Sequence, residues 1–89
     1  MPAISMFYGI IIYIYNYDNN QHYEPHFHVR YTEYKAQFSI KKGNIMSGNI
    51  PAKQRKYIRA WAEIHKAELL ANWELAISGE TGFKIEPLK

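Results

Sequence analysis

The hydrophobic period of this chain changes once, near Pro51, and that change excludes most folds. Before it, apolar and polar residues alternate in short runs rich in Ile, Tyr, Phe and Val, the pattern of half-buried strands. After it, Gln54, Ile58, Trp61, Ala62, His65, Leu69, Trp73 and Ala76 step by three and four, as one stripe of a helix does. Strands followed by a helix within 89 residues make one small α+β domain, with helix packed on one face of an antiparallel sheet.

Turn residues divide the strand half. A first strand is predicted over 8–15, where Ile and Tyr nearly fill the run. Buried on both faces, such a run belongs inside a sheet, because a free edge there would template aggregation. Residues 16–24 are polar and rich in Asn, which suits a loop. Pro25 disfavours α geometry at Glu24 and opens a strand over 26–31. Thr32-Glu33 turns into a strand over 34–40, and Lys41-Lys42-Gly43-Asn44 turns into a short one at 45–47. The expectation is a three- to four-stranded antiparallel β-meander over 4–48, packed on one long C-terminal α-helix over 51–78, with 79–89 as a tail.

Pro51 suits the start of that helix and Gly79 its stop. At 1.5 Å per residue its length is about 42 Å, roughly twice a strand. Its far end then overhangs the sheet. Leu69, Leu70, Trp73 and Ile77 need cover from Phe83 and Ile85 or from a second copy, so a homodimer is expected on this reading.

Alternation along the strands assigns two faces. Ile10, Ile12, Ile14, Phe27, Val29, Ala36, Phe38 and Ile40 form an apolar face for the helix. Tyr13, Tyr15, His26, His28, Arg30, Lys35, Gln37 and Ser39, with Ile11, form a polar, aromatic and basic face. A slip of one residue would exchange the faces wholesale. The paired imidazoles in Pro25-His26-Phe27-His28-Val29 are therefore expected to look outward.

Composition narrows the function classes. The chain is 47% hydrophobic and 16% aromatic, too apolar for a disordered segment. It has no cysteine, so disulfides and thiolate metal sites are excluded. The net charge of +3 permits nucleic acid or acidic partners without demanding them. The apolar run over 6–15 is too short to cross a bilayer, which takes about 20 residues. Residues 1–5 lack the basic start of a secretory signal, and a cytoplasmic location is expected.

Three chemical readings compete for the polar face. His26 and His28 could share a divalent ion, with His22, Glu24 or Asp18 as a third ligand, but no established metal motif accompanies them. No metal or other cofactor is expected. Tyr13, Tyr15, Arg30 and Lys35 could stack bases and hold phosphates, helped by the basic patch Lys53, Arg55, Lys56 and Arg59. Those four cations sit where the helix dipole opposes them, so helix stability does not explain them. A ribonuclease-like toxin would use His26 or His28 as general acid or base, with Arg30 or Lys35 on the phosphate. His65 lies on the opposite, apolar side and reads as a hydrogen-bonded core residue.

Several segments together resemble a known family. They are Phe7-Tyr8-Gly9-Ile10-Ile11-Ile12, Asp18, Pro25-His26-Phe27-His28-Val29, Glu33-Tyr34-Lys35-Ala36, the run from Trp61 to Ala76, and Lys84-Ile85-Glu86-Pro87-Leu88. The chain resembles the small bacterial proteins of domain-of-unknown-function family 4160 over nearly its whole length. The family's histidines correspond to His26, His28 and His65. This chain departs in a longer loop before Pro25, in Glu24 where the family has a first Pro, and in Thr32 where Gly is usual. The resemblance implies a gene paired with that of a second small protein, an arrangement proposed as a toxin–antitoxin type module. The reading adopted is a cytoplasmic binding module for a small protein partner, working through Tyr13, Tyr15, His26, His28, Arg30 and Lys35. It is not expected to be an enzyme.

Overall fold

A computed structural model describes residues 3–15 and 24–88. Among these described residues, five strands form one antiparallel meander in the order β1 (Ser5–Phe7), β2 (Ile10–Tyr13), β3 (His26–Tyr31), β4 (Tyr34–Ser39) and β5 (Ile45–Gly48). Two helices follow, α1 (Ala52–Ile64) and α2 (Lys66–Ile77). The architecture is α+β, as expected, but both halves differ in detail from the sequence reading.

The strand expected over 8–15 is a hairpin. Tyr8 and Gly9 adopt φ of 51° and 77°, so both residues of a two-residue turn are left-handed and Phe7 pairs with Ile10. That turn matches the twist of the flanking strands, which outweighs the cost of holding Tyr8 at positive φ. The meander therefore has five strands rather than three or four.

The single helix is two. His65 departs from helical geometry at φ −109° and ψ 27°. Its N–H still reaches the Trp61 carbonyl at 3.0 Å, and Leu69 N–H reaches the His65 carbonyl at 2.9 Å. The largest Cα extent of the molecule is 33 Å, less than the roughly 42 Å of a straight 28-residue helix. No proline or glycine lies within 52–78 to cause the break. α1 buries Ile58, Trp61 and Ala62, while α2 buries Leu69, Asn72, Trp73 and Ala76. The premise of one long helix is thus corrected: Leu69 and Trp73 are buried within the chain, while Ile77 is 36% exposed.

The core confirms the register. Ile10, Ile12, Phe27, Val29 and Phe38 are fully buried, with Ile14, Ala36 and Ile40 nearly so. Trp61 packs its ring 5.4 Å from Phe7 and 6.0 Å from Phe27, which stacks on Phe38. Truncating a buried Trp to Ala costs about 3–5 kcal/mol, so this contact is central to the fold.

The tail closes over the open end of the core. Gly79 follows α2 at φ 79°, its N–H bonding the Ala76 carbonyl and that of Glu80 bonding the Leu75 carbonyl. This is the Schellman arrangement that satisfies the last carbonyls of a helix. Asn72, buried at 2% exposure, accepts from Phe83 N–H at 2.9 Å and donates to the Glu68 carbonyl. Ile85 donates its N–H to the Ile4 carbonyl, and Trp61 Nε1 donates to the Glu86 carbonyl at 2.8 Å. Ile85 is buried as expected, but Phe83 is 41% exposed. Among the described residues no helix is long and apolar enough to cross a membrane.

Candidate functional site

α1 packs on the apolar side of the sheet through Trp61, α2 sets Trp73 against His26, and the predicted polar residues share the other side. Direct pairing aligns them in rows across the strands. Tyr13, His28, Gln37 and Ser47 form one row; Met6, Ile11, Arg30 and Lys35 form the next. Cross-strand neighbours of this kind touch through their side chains.

An aromatic–imidazole cluster fills one end of this face. Tyr13 stacks on His28 with centroids 5.4 Å apart and planes 13° apart. Tyr15 meets both edge-on, at 5.3 Å from Tyr13 and 4.5 Å from His28. His26 lies 5.2 Å from His28 and 5.0 Å from Trp73 of α2. Its Nδ1 is 3.0 Å from the Glu24 carbonyl, which only accepts, so Nδ1 carries a hydrogen. The Glu24 carboxylate accepts the hydroxyl of Ser39.

The expected open exposure of the imidazoles is corrected here. Alternation holds, since Phe27 and Val29 enter the core, yet His26 is 2% and His28 8% exposed. Trp73, Tyr13 and Tyr15 are among the groups that lie over them. Ser39, expected on the polar face, is fully buried. What remains accessible is Tyr15, Arg30 and Lys35, with Tyr13 half-buried.

Electrostatics follow this packing. Burial pushes the Tyr13 phenol above its ordinary 10.0, reinforced by a hydrogen bond and a charge interaction with Tyr15; nearby Arg30 opposes the rise. Arg30 and Lys35 are exposed and directly opposite each other. The basic patch lies elsewhere. Lys53, Lys56 and Arg59 are exposed and Arg55 half-buried on α1, whose other side packs on the sheet. The two cationic groups thus belong to different elements, the sheet and α1.

Among the described residues, no cluster of three or more His, Cys, Asp or Glu can hold a metal ion. His22 and Asp18 lie outside the described residues. His65 is half-buried against Trp61 with Nδ1 2.5 Å from Glu68 Oε1, away from the polar face. Sequence reasoning missed Trp73 as the partner of His26 and Asn72 as the tail's anchor. A signal existed for Asn72. It steps in phase with Leu69 and Ala76, and a polar residue on a buried stripe needs hydrogen-bond partners.

Comparison with known proteins returns no matching curated protein and no matching solved structure. One family model matches residues 9–74, from the first hairpin through most of α2. The chain belongs to the family described as Domain of unknown function (DUF4160).

Proposed function

We propose that the chain is a binding module whose outer sheet face takes a small protein partner, as one half of a two-protein pair of the toxin–antitoxin kind in a bacterial cytoplasm. One observation carries this reading. The uncovered face joins Met6, Ile11, Tyr13 and Tyr15 to Arg30 and Lys35 in adjacent rows. Aromatic residues, Met and Arg are the types enriched in protein interfaces.

Nucleic acid fits this face less well. One ring face of Tyr13 is occupied by His28, and Tyr15 is engaged edge-on with both neighbours, so neither is an open platform for bases. A nuclease needs its general acid or base within about 2.6–3.2 Å of the substrate. His26 sits against Trp73 and His28 under two tyrosines, so substrate contact with either requires rearrangement.

The test is crosslinking inside the native host. A photoreactive residue replacing Tyr15 should yield one discrete protein adduct, and one replacing Lys56 on α1 should not. An adduct with RNA alone, with a second copy of the chain, or equally from both positions would refute the assignment.

A further inference from the structure

Arg30 and Lys35 are directly paired across β3 and β4, and both are exposed. Like charges at such positions destabilise a sheet. Neither forms an ion pair among the described residues. Folding does not require this repulsion, and a bound anion would relieve it.

The surface around the pair has a shape to match. Tyr13 and Tyr15 form a ridge between two shallow hollows. One, of about 240 Å³, is lined by Ala3, Ile11 and Arg30 besides the ridge. The other, of about 380 Å³, is lined by His28, Lys35, Gln37 and Ser47 over a floor of Ala36 and Gly48. No described residue lining either hollow is Asp or Glu. Each hollow thus has one cation, and the ridge between them is phenolic. At that floor β5 approaches β4 closely: a Cβ at Gly48 would stand 2.2 Å from the Lys35 carbonyl oxygen.

We propose that these hollows receive an acidic, extended segment of the partner protein, one carboxylate meeting Arg30 and another Lys35, astride the tyrosine ridge. This rests on the reading of the outer face as a protein interface. In an extended chain, side chains at alternate positions share a face and repeat about every 7 Å, so acidic residues alternating with others present their carboxylates together. Arginine adds the planar fork that matches a carboxylate. A peptide is favoured over RNA because the cations number one per hollow, whereas a phosphate backbone calls for a basic track.

The experiment uses the whole chain and labelled peptides of alternating Glu and Tyr, followed by fluorescence anisotropy. The Glu-Tyr peptide should bind, and the same peptide with Gln for Glu should bind about tenfold more weakly or worse. Arg30→Gln and Lys35→Gln should each lose about tenfold in affinity and flatten the salt dependence. Both should raise the melting temperature of the free protein, since each removes a repulsion. Lys56→Gln is the control and should change neither. Absence of peptide binding, equal binding of the Gln-Tyr peptide, tighter binding of polyuridine, or an equal loss in Lys56→Gln would overturn the inference. If the Tyr15 crosslink to a protein persists alongside such a result, the interface stands and only its acidic partner is wrong.

Discussion

Replacing Gly48 and Gly43 separately with alanine isolates the close approach of β5 to β4. Both glycines are left-handed, at φ 82° and 75°, so an added Cβ meets the same local strain at each. That common cost is about 1–2 kcal/mol. The surroundings differ. At Gly43 nothing lies within 4 Å of the new Cβ, whereas at Gly48 it would stand 2.2 Å from the Lys35 carbonyl oxygen and 2.7 Å from Ala36 Cα. Backbone cannot rotate away as a side chain can. β5 must withdraw, and the bond from Asn49 N–H to the Lys35 carbonyl, now 3.0 Å, is lost or stretched. Overpacking costs about 1–3 kcal/mol and the hydrogen bond about 1 kcal/mol more. Gly48→Ala should therefore be less stable than Gly43→Ala by about 2–4 kcal/mol, which at about 4–8 °C per kcal/mol is a gap of about 10 °C or more. Urea unfolding followed by the fluorescence of the buried Trp61 and Trp73 gives the difference directly, and calorimetry checks it. Equal midpoints for the two variants would refute the argument that close approach, rather than backbone angle, demands glycine at residue 48.

Thr32 holds φ 51° in the β3–β4 turn, a strained setting for a β-branched residue, so Thr32→Gly should stabilise by about 1 kcal/mol in urea titration. Asn72→Ala removes the bond that anchors the tail, from Phe83 N–H at 2.9 Å, and a second within α2 to the Glu68 carbonyl at 3.3 Å, and should cost about 2 kcal/mol. Hydrogen exchange at Phe83 should accelerate in that variant, and unchanged exchange would remove Asn72 as the anchor. The folded protein holds the Tyr13 proton more tightly than the unfolded chain does. Its contribution to stability is thus complete below pH 10.0 and fades as pH rises through the raised folded value. Tyr13→Phe should blunt the alkaline loss of stability and remove a late-ionising component from the phenolate absorbance titration; identical titrations would contradict the shift.

The sheet's division into two faces was legible because strand alternation is a local property of the backbone: Ile12, Phe27, Val29 and Phe38 had one place to go. The stop at Gly79 was legible for a similar reason, since few residues accept the left-handed angle that ends a helix. The Tyr8-Gly9 hairpin was harder to see, because Tyr8 opposes the conformation its turn requires and only pairing with the neighbouring strands compensates. Of the candidate site, the sequence identified the residues of the outer face but not their accessibility.

Chain chemistry by itself determined which side chains share a surface, that the fold is α+β, and that no thiolate or disulfide takes part. Tertiary structure alone decided that the helix breaks at His65 and that Trp73 comes to rest against His26. The reason is range. Periodicity records what a residue does relative to its near neighbours, whereas a break in a helix or the burial of an imidazole depends on groups distant along the chain meeting in space.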